Sequence, residues 1–181
     1  MHNILLCSVD YIKTNSNLNN NIFEDYLLPA IREAQEIELQ EYLGSCLYAR
    51  LLDLVDSGDI SDSAYTQYKA LLDDHVQDYL MYQTITDLVP IIGSKIANLG
   101  TVISNDEHVV SLTEDERSRL KTHYQYRADS CARKMQEFLL NNRDLFPELQ
   151  DCDCDRMRAH LKSCESVGLW LGGYRGRRVR K

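Results

Sequence analysis

From Ile22 onward, apolar residues recur about every 3.6 positions, the spacing of helices that bury one face. Phe23, Leu27, Leu28, Ile31, Ala34, Ile37 and Leu43 fall largely on one side, and Glu33, Glu36, Glu38, Gln40 and Glu41 fall elsewhere. Pro29 suits a start of regular helix near it, and Gly44 suits a C-terminal cap. Ser45 can then cap a second helix to about Val55, with Leu47, Leu51, Leu52 and Val55 inward. After the turn Asp56-Ser57-Gly58-Asp59, Asp62 or Ser63 opens a longer helix carrying Tyr65, Tyr68, Leu72, Val76, Tyr79, Leu80 and Ile85. Pro90 should break or kink it, with a further helical piece to Asn98. Val102-Ile103 and Val109-Val110 around Ser104-Asn105-Asp106-Glu107 predict a small hairpin near 99–112.

The cleanest start signal follows. Thr113-Glu114-Asp115-Glu116 is a capping box with acids in the first turn, opening a helix to about Asn142. Its inward stripe reads Leu120, Tyr124, Ala128, Cys131, Met135, Phe138 and Leu139, and Phe146-Pro147 closes the segment. A short helix is expected over Asp155–Ser166. At the other end, residues 1–21 read as an arm: a short extended stretch from Ile4 to Ile12, then an asparagine-rich strap that competes with helical hydrogen bonding. The expectation is a mainly α fold, a helical bundle of four to five helices over 22–149 with a small β-hairpin. An N-terminal arm (1–21) and a C-terminal segment with a basic arm (150–181) extend from it.

Composition supports a folded body. The chain has 181 residues, 44% hydrophobic and 27% charged, with eight glycines and three prolines, which favours long helices over a many-stranded barrel. Net charge is −8, but the last ten residues hold Arg175, Arg177, Arg178, Arg180 and Lys181 and no acid, so the remainder is more acidic than the whole. An acidic body argues against a globular nucleic-acid-binding surface. No apolar run reaches the 18 or so residues of a membrane span, and Ile4–Leu6 is too short for a signal sequence. The six cysteines, including Cys7, Cys46 and Cys131, are expected to be reduced thiols.

Catalytic patterns are missing from the sequence: no phosphate-cradling glycine loop, no Gly-x-Ser-x-Gly elbow, no His-Glu-x-x-His pair, and five scattered histidines. The expectation is a protein without enzymatic activity or cofactor. One cluster has ligand chemistry, Cys152, Cys154, His160 and Cys164, which could close a zinc site. Reduced cysteines at a helix start are the favoured reading, because Asp151, Asp153 and Asp155 oppose thiolate formation. Eleven tyrosines against three phenylalanines suit half-buried helix faces and protein interfaces alike. The arm Gly172-Gly173-Tyr174-Arg175-Gly176-Arg177-Arg178-Val179-Arg180-Lys181 carries the candidate partner-binding residues Tyr174, Arg175, Arg177, Arg178, Arg180 and Lys181. Arginine matches carboxylate and phosphate geometry, and an aromatic side chain can anchor the docked arm.

Several pieces in order resemble a known group: Ile31-x₂-Ala34-Gln35, then Tyr42-Leu43-Gly44-Ser45-x-Leu47-Tyr48-x₂-Leu51. Tyr68-x₂-Leu71-Leu72, Lys95-Ile96-Ala97-Asn98-x-Gly100-Thr101-Val102 and Phe138-Leu139-Leu140-Asn141-Asn142 before Phe146-Pro147 complete the set. Over roughly residues 4–149 the chain resembles tailed-phage head–tail connector proteins (adaptors or ring proteins), in the branch of Bacteroidetes and crAss-like phages. The resemblance implies a structural virion protein, made in the bacterial host cytoplasm. Its copies would form a dodecameric ring under the portal and extend the channel for genomic DNA. Partners would be the portal protein, copies of itself and other tail or ring proteins, with no membrane involved. The alternative from the residues alone is a small nucleic-acid-binding or regulatory protein acting through its basic tail.

Overall fold

The computed structural model describes residues 4–17, 24–91, 94–97, 100–103, 113–150 and 159. It is mainly helical. The elements are α1 (Val9–Asn15), α2 (Glu24–Glu33), α3 (Gln40–Ser57), α4 (Thr66–Leu71), α5 (Gln77–Ile91) and α6 (Glu114–Asn141). The strands β1 (Ser94–Ala97) and β2 (Gly100–Ile103) lie between α5 and α6.

Two wide π-helical turns, Ala34–Leu39 and Leu72–Val76, join α2 to α3 and α4 to α5. The sequence explains both. Leu27, Ile31, Gln35, Leu39 and Leu43 are all buried, and so are Tyr68, Leu72, Val76, Leu80, Thr84 and Leu88. Each row has a spacing of four. In an α-helix of 3.6 residues per turn, such a row rotates by about 40° at every step. A turn with i→i+5 hydrogen bonds takes up that drift and keeps the row facing inward.

Helix α3 is two pieces across a kink: Gly44 has φ 75° and ψ 156°, non-helical values that glycine alone adopts readily. Gly58 closes it in the left-handed region at φ 80°. The capping box forms as the sequence predicts: Thr113 Oγ1 accepts from Glu116 N, and Glu116 Oε2 accepts from Thr113 N at 2.9 Å. Helix α5 is buried around most of its circumference, with α2 and α6 both packed on it. Phe146 is fully buried and closes the far end, its ring edge-on to Tyr68 at 5.3 Å.

Several expectations are corrected. Residues 9–15 are helical rather than extended, because Ser8 caps them by accepting from Tyr11 N at 3.1 Å and Ile12 is fully buried. Helix α2 begins at Glu24, upstream of Pro29, which lies inside it at the cost of one backbone hydrogen bond. Helix α5 runs through Pro90, and the segment expected to continue as helix to Asn98 contains β1. The hairpin expected from Val102-Ile103 and Val109-Val110 is not formed by those partners: Val102 faces Lys95 and Ile103 faces Ser94. Residues 104–112 lie outside the described residues, as does the helix expected over 155–166 except for residue 159. Ile37 is 60% exposed, since the wide turn at 34–39 carries it off the inward face.

Candidate functional site

No described residue belongs to the predicted tail. Tyr174, Arg175, Arg177, Arg178, Arg180 and Lys181, and the cluster Cys152, Cys154, His160 and Cys164, lie outside the described residues. Among the described residues, no three histidine, cysteine or acidic side chains are grouped to hold a metal. No described helix is long and apolar enough to cross a membrane. Cys7 and Cys131 are free thiols, and burial pushes the Cys7 thiol up to about 12. Half-buried Cys46, by contrast, is disulfide-bonded, which departs from the expectation of reduced thiols throughout.

Three features of the described body have shape and polarity suited to interaction. The first is the docked N-terminal segment. Gln35, buried on the first wide turn, accepts from Leu6 N at 2.8 Å and donates to Ile4 O at 3.0 Å and to Tyr48 Oη at 3.2 Å. Leu6 and Cys7 are buried against the core, and Tyr11 Oη donates to Asp78 Oδ1 at 2.8 Å. The arm therefore packs on its own body over residues 4–17. Composition missed Gln35; the signal was a polar residue in the middle of a row of four-spaced apolar ones.

The second is the leading half of α6. None of residues 114–126 is buried, whereas Ala128, Ala132, Met135 and Leu139 are. The predicted stripe thus fails at its start: Leu120 is exposed and Tyr124 only half-buried, because these first turns meet only the end of α5. At 28 residues it is about 42 Å long. A cleft of about 90 Å³ lies where it meets the end of α5, lined by Val89, Pro90, Glu114, Arg117, Ser118 and Lys121. That is well below the roughly 300 Å³ of a typical small-molecule site.

The third is a set of carboxyls beside α5. Burial, then repulsion from Asp87, raises the Glu38 carboxyl above the usual range, and Glu38 Oε2 is buried without a hydrogen-bond partner among the described residues. Burial also raises Asp87, opposed by a hydrogen bond from Gln83 Nε2 at 3.2 Å. Tyr42 and Tyr79 stack edge to face nearby at 5.4 Å. The group can hold a proton but offers no activated nucleophile. Of the other tyrosines, Tyr68 is buried, while Tyr65 and Tyr82 pack at the rim of the core, so these serve the fold. Tyr126, at 69% exposure, does not.

No curated protein and no solved structure matches this chain. One family pattern does, over residues 39–158, which takes in the kinked α3, the rods α4–α5 and α6, and the ribbon between α5 and α6. The chain belongs to this family, a family of unknown function (DUF6712).

Proposed function

We propose that the protein is a structural head–tail connector that forms a ring under a phage portal, joins it to the tail and extends the DNA channel. The observation that carries this reading is the exposed leading half of α6. Over residues 114–126 this helix has no buried residue and only Arg117, Tyr124 and Gln125 are half-buried, so it leaves a long exposed face suited to contact a neighbour. The ordered pieces that resemble connector proteins also have a shared structural role in this body. Gln35 and Tyr48 are hydrogen-bonded to each other, Gly44 makes the kink between them, and Phe146 seals the bundle against Tyr68.

In this reading the rigid body supplies the wall of the ring, and the tail residues Tyr174, Arg175, Arg177, Arg178, Arg180 and Lys181 grip portal or an adjacent subunit. Permanent interfaces of this kind bury about 2,000–5,000 Å². The protein acts without chemistry of its own and is incorporated into the virion at the head–tail junction. The test is to mix the full chain with a portal protein from the same genome and image the product by negative stain. A ring seated on the portal is expected, lost on deleting residues 172–181 while helicity stays intact. Failure of the intact chain to bind portal or itself would reject the connector reading.

A further inference from the structure

The molecule carries two exposed faces of opposite charge, each centred on an exposed apolar residue. Between positions 117 and 134 the sequence holds six bases and one acid. On α6, Arg119, Tyr126 and Arg133 recur every seven residues, two helical turns apart, so they form one stripe about 21 Å long. All three are exposed, as are His123 and Lys134 beside them. Arg133 Nε is tied to Asp129 O at 3.3 Å, which fixes the direction of its guanidinium. The opposite face lies on α2 and the first wide turn. Positions 24 to 41 hold six acids and one base, and the exposed Glu33 and Glu36 precede the 60% exposed Ile37. The two faces belong to different elements, each packed on α5, which is buried nearly all round.

We propose that the α6 stripe of one copy, Arg119–Tyr126–Arg133, docks on the Glu33–Glu36–Ile37 face of a second copy of this chain. The argument is complementarity of both kinds. Two arginines flank a tyrosine on one side, two glutamates accompany an isoleucine on the other, and the like-charged alternatives are repelled. Tyrosine and arginine are also the side chains that most often anchor interfaces. Because the two faces are different patches, the contact is head to tail, and repeated with a closing rotation it generates a ring. The proposal rests on the ring reading above for that closure and names the surfaces that would form it.

The experiment uses the full chain in sedimentation velocity across concentration and salt. The parent is expected to associate, less so as salt rises. R119E/R133E, with two acidic faces, and E33R/E36R, with two basic faces, should each sediment as monomer with unchanged helicity. Their equimolar mixture should associate again, since each native face then meets its complement. Parent-sized assemblies in both double variants would overturn this contact and leave the ring reading standing. A parent that stays monomeric at every concentration, alone and with portal, would overturn both. A salt-dependent shift of duplex DNA by the parent, lost in R119E/R133E while self-association is unchanged, would assign the stripe to nucleic acid and also overturn the contact.

Discussion

The side-chain amide of Gln35 forms a two-way clamp on the backbone around Leu6, accepting from its N–H at 2.8 Å and donating to the carbonyl of Ile4 at 3.0 Å. A strand neighbour would make the same pair of bonds, but here one buried side chain makes them. Replacing Gln35 by leucine keeps the bulk and strands the Leu6 N–H in an apolar setting. The expected loss is about 1–3 kcal/mol by urea unfolding, the cost of an unsatisfied buried donor. Hydrogen exchange at Leu6 should accelerate together with that of α1. Unchanged exchange would mean that Leu6, Cys7 and Ile12 hold the segment without the clamp.

Phe146 is fully buried between Tyr68 and Phe138, with ring centroids at 5.3 and 6.1 Å. Phe146→Ala is expected to cost about 3–5 kcal/mol, through lost burial and the cavity left behind. The denaturation midpoint measures it. A loss below about 1 kcal/mol would show that the segment closing the bundle collapses into the space.

Gly44 sits at φ 75° and ψ 156°, a region essentially restricted to glycine. Gly44→Ala should destabilise by about 1–3 kcal/mol while leaving total helicity nearly constant, because both halves of α3 survive. If circular dichroism showed helicity rising as the kink straightened, the kink would not be fixed by the tertiary fold.

The carboxyl pair beside α5 makes stability depend on pH. Glu38 and Asp87 have folded pKa values above their ordinary 4.5 and 3.8, so the folded state holds these protons more tightly than the unfolded chain. Their favourable contribution is complete below the ordinary carboxylate range and is lost as pH rises through the folded values. Lowering pH from neutrality toward about 5 should therefore reduce a destabilising charge. His75 works in the other direction, since burial lowers its pKa and its contribution fades as pH falls. Glu38→Gln and Asp87→Asn isolate the carboxyls: each should be more stable than the parent at pH 7, with the gap closing on acidification. A gap that is constant with pH would rule out titration of these groups as its source.

The local signals were the most readable part of the sequence. Thr113 with Glu116, Gly58 and Phe146-Pro147 each act within a few residues, so their types alone placed a cap, a turn and a closure, while Gly44, expected to end a helix, instead kinks one that continues. What failed depended on tertiary contact. Ile37 and Leu120 fit an inward helical stripe, but a wide turn rotates the first outward and the second lies where α6 meets only the end of α5. Helix α1 was hidden by β-branched and asparagine residues, and only the Ser8 cap marked it. The candidate surfaces were less readable. The charge run on α6 is visible in the sequence, but its exposure follows from where the core stops.

The wide turns at 34–39 and 72–76 also bear on how this chain could change in length. Losing one residue from either turn would convert it to an ordinary α-helical turn, with the rods on both sides still presenting their apolar rows to α5 or the core. The loss shortens the rod without reversing its facing. Relatives that differ by a single-residue gap at these two points are thus expected to share one body, whereas the same gap in the middle of α6 would turn everything beyond it by about 100°.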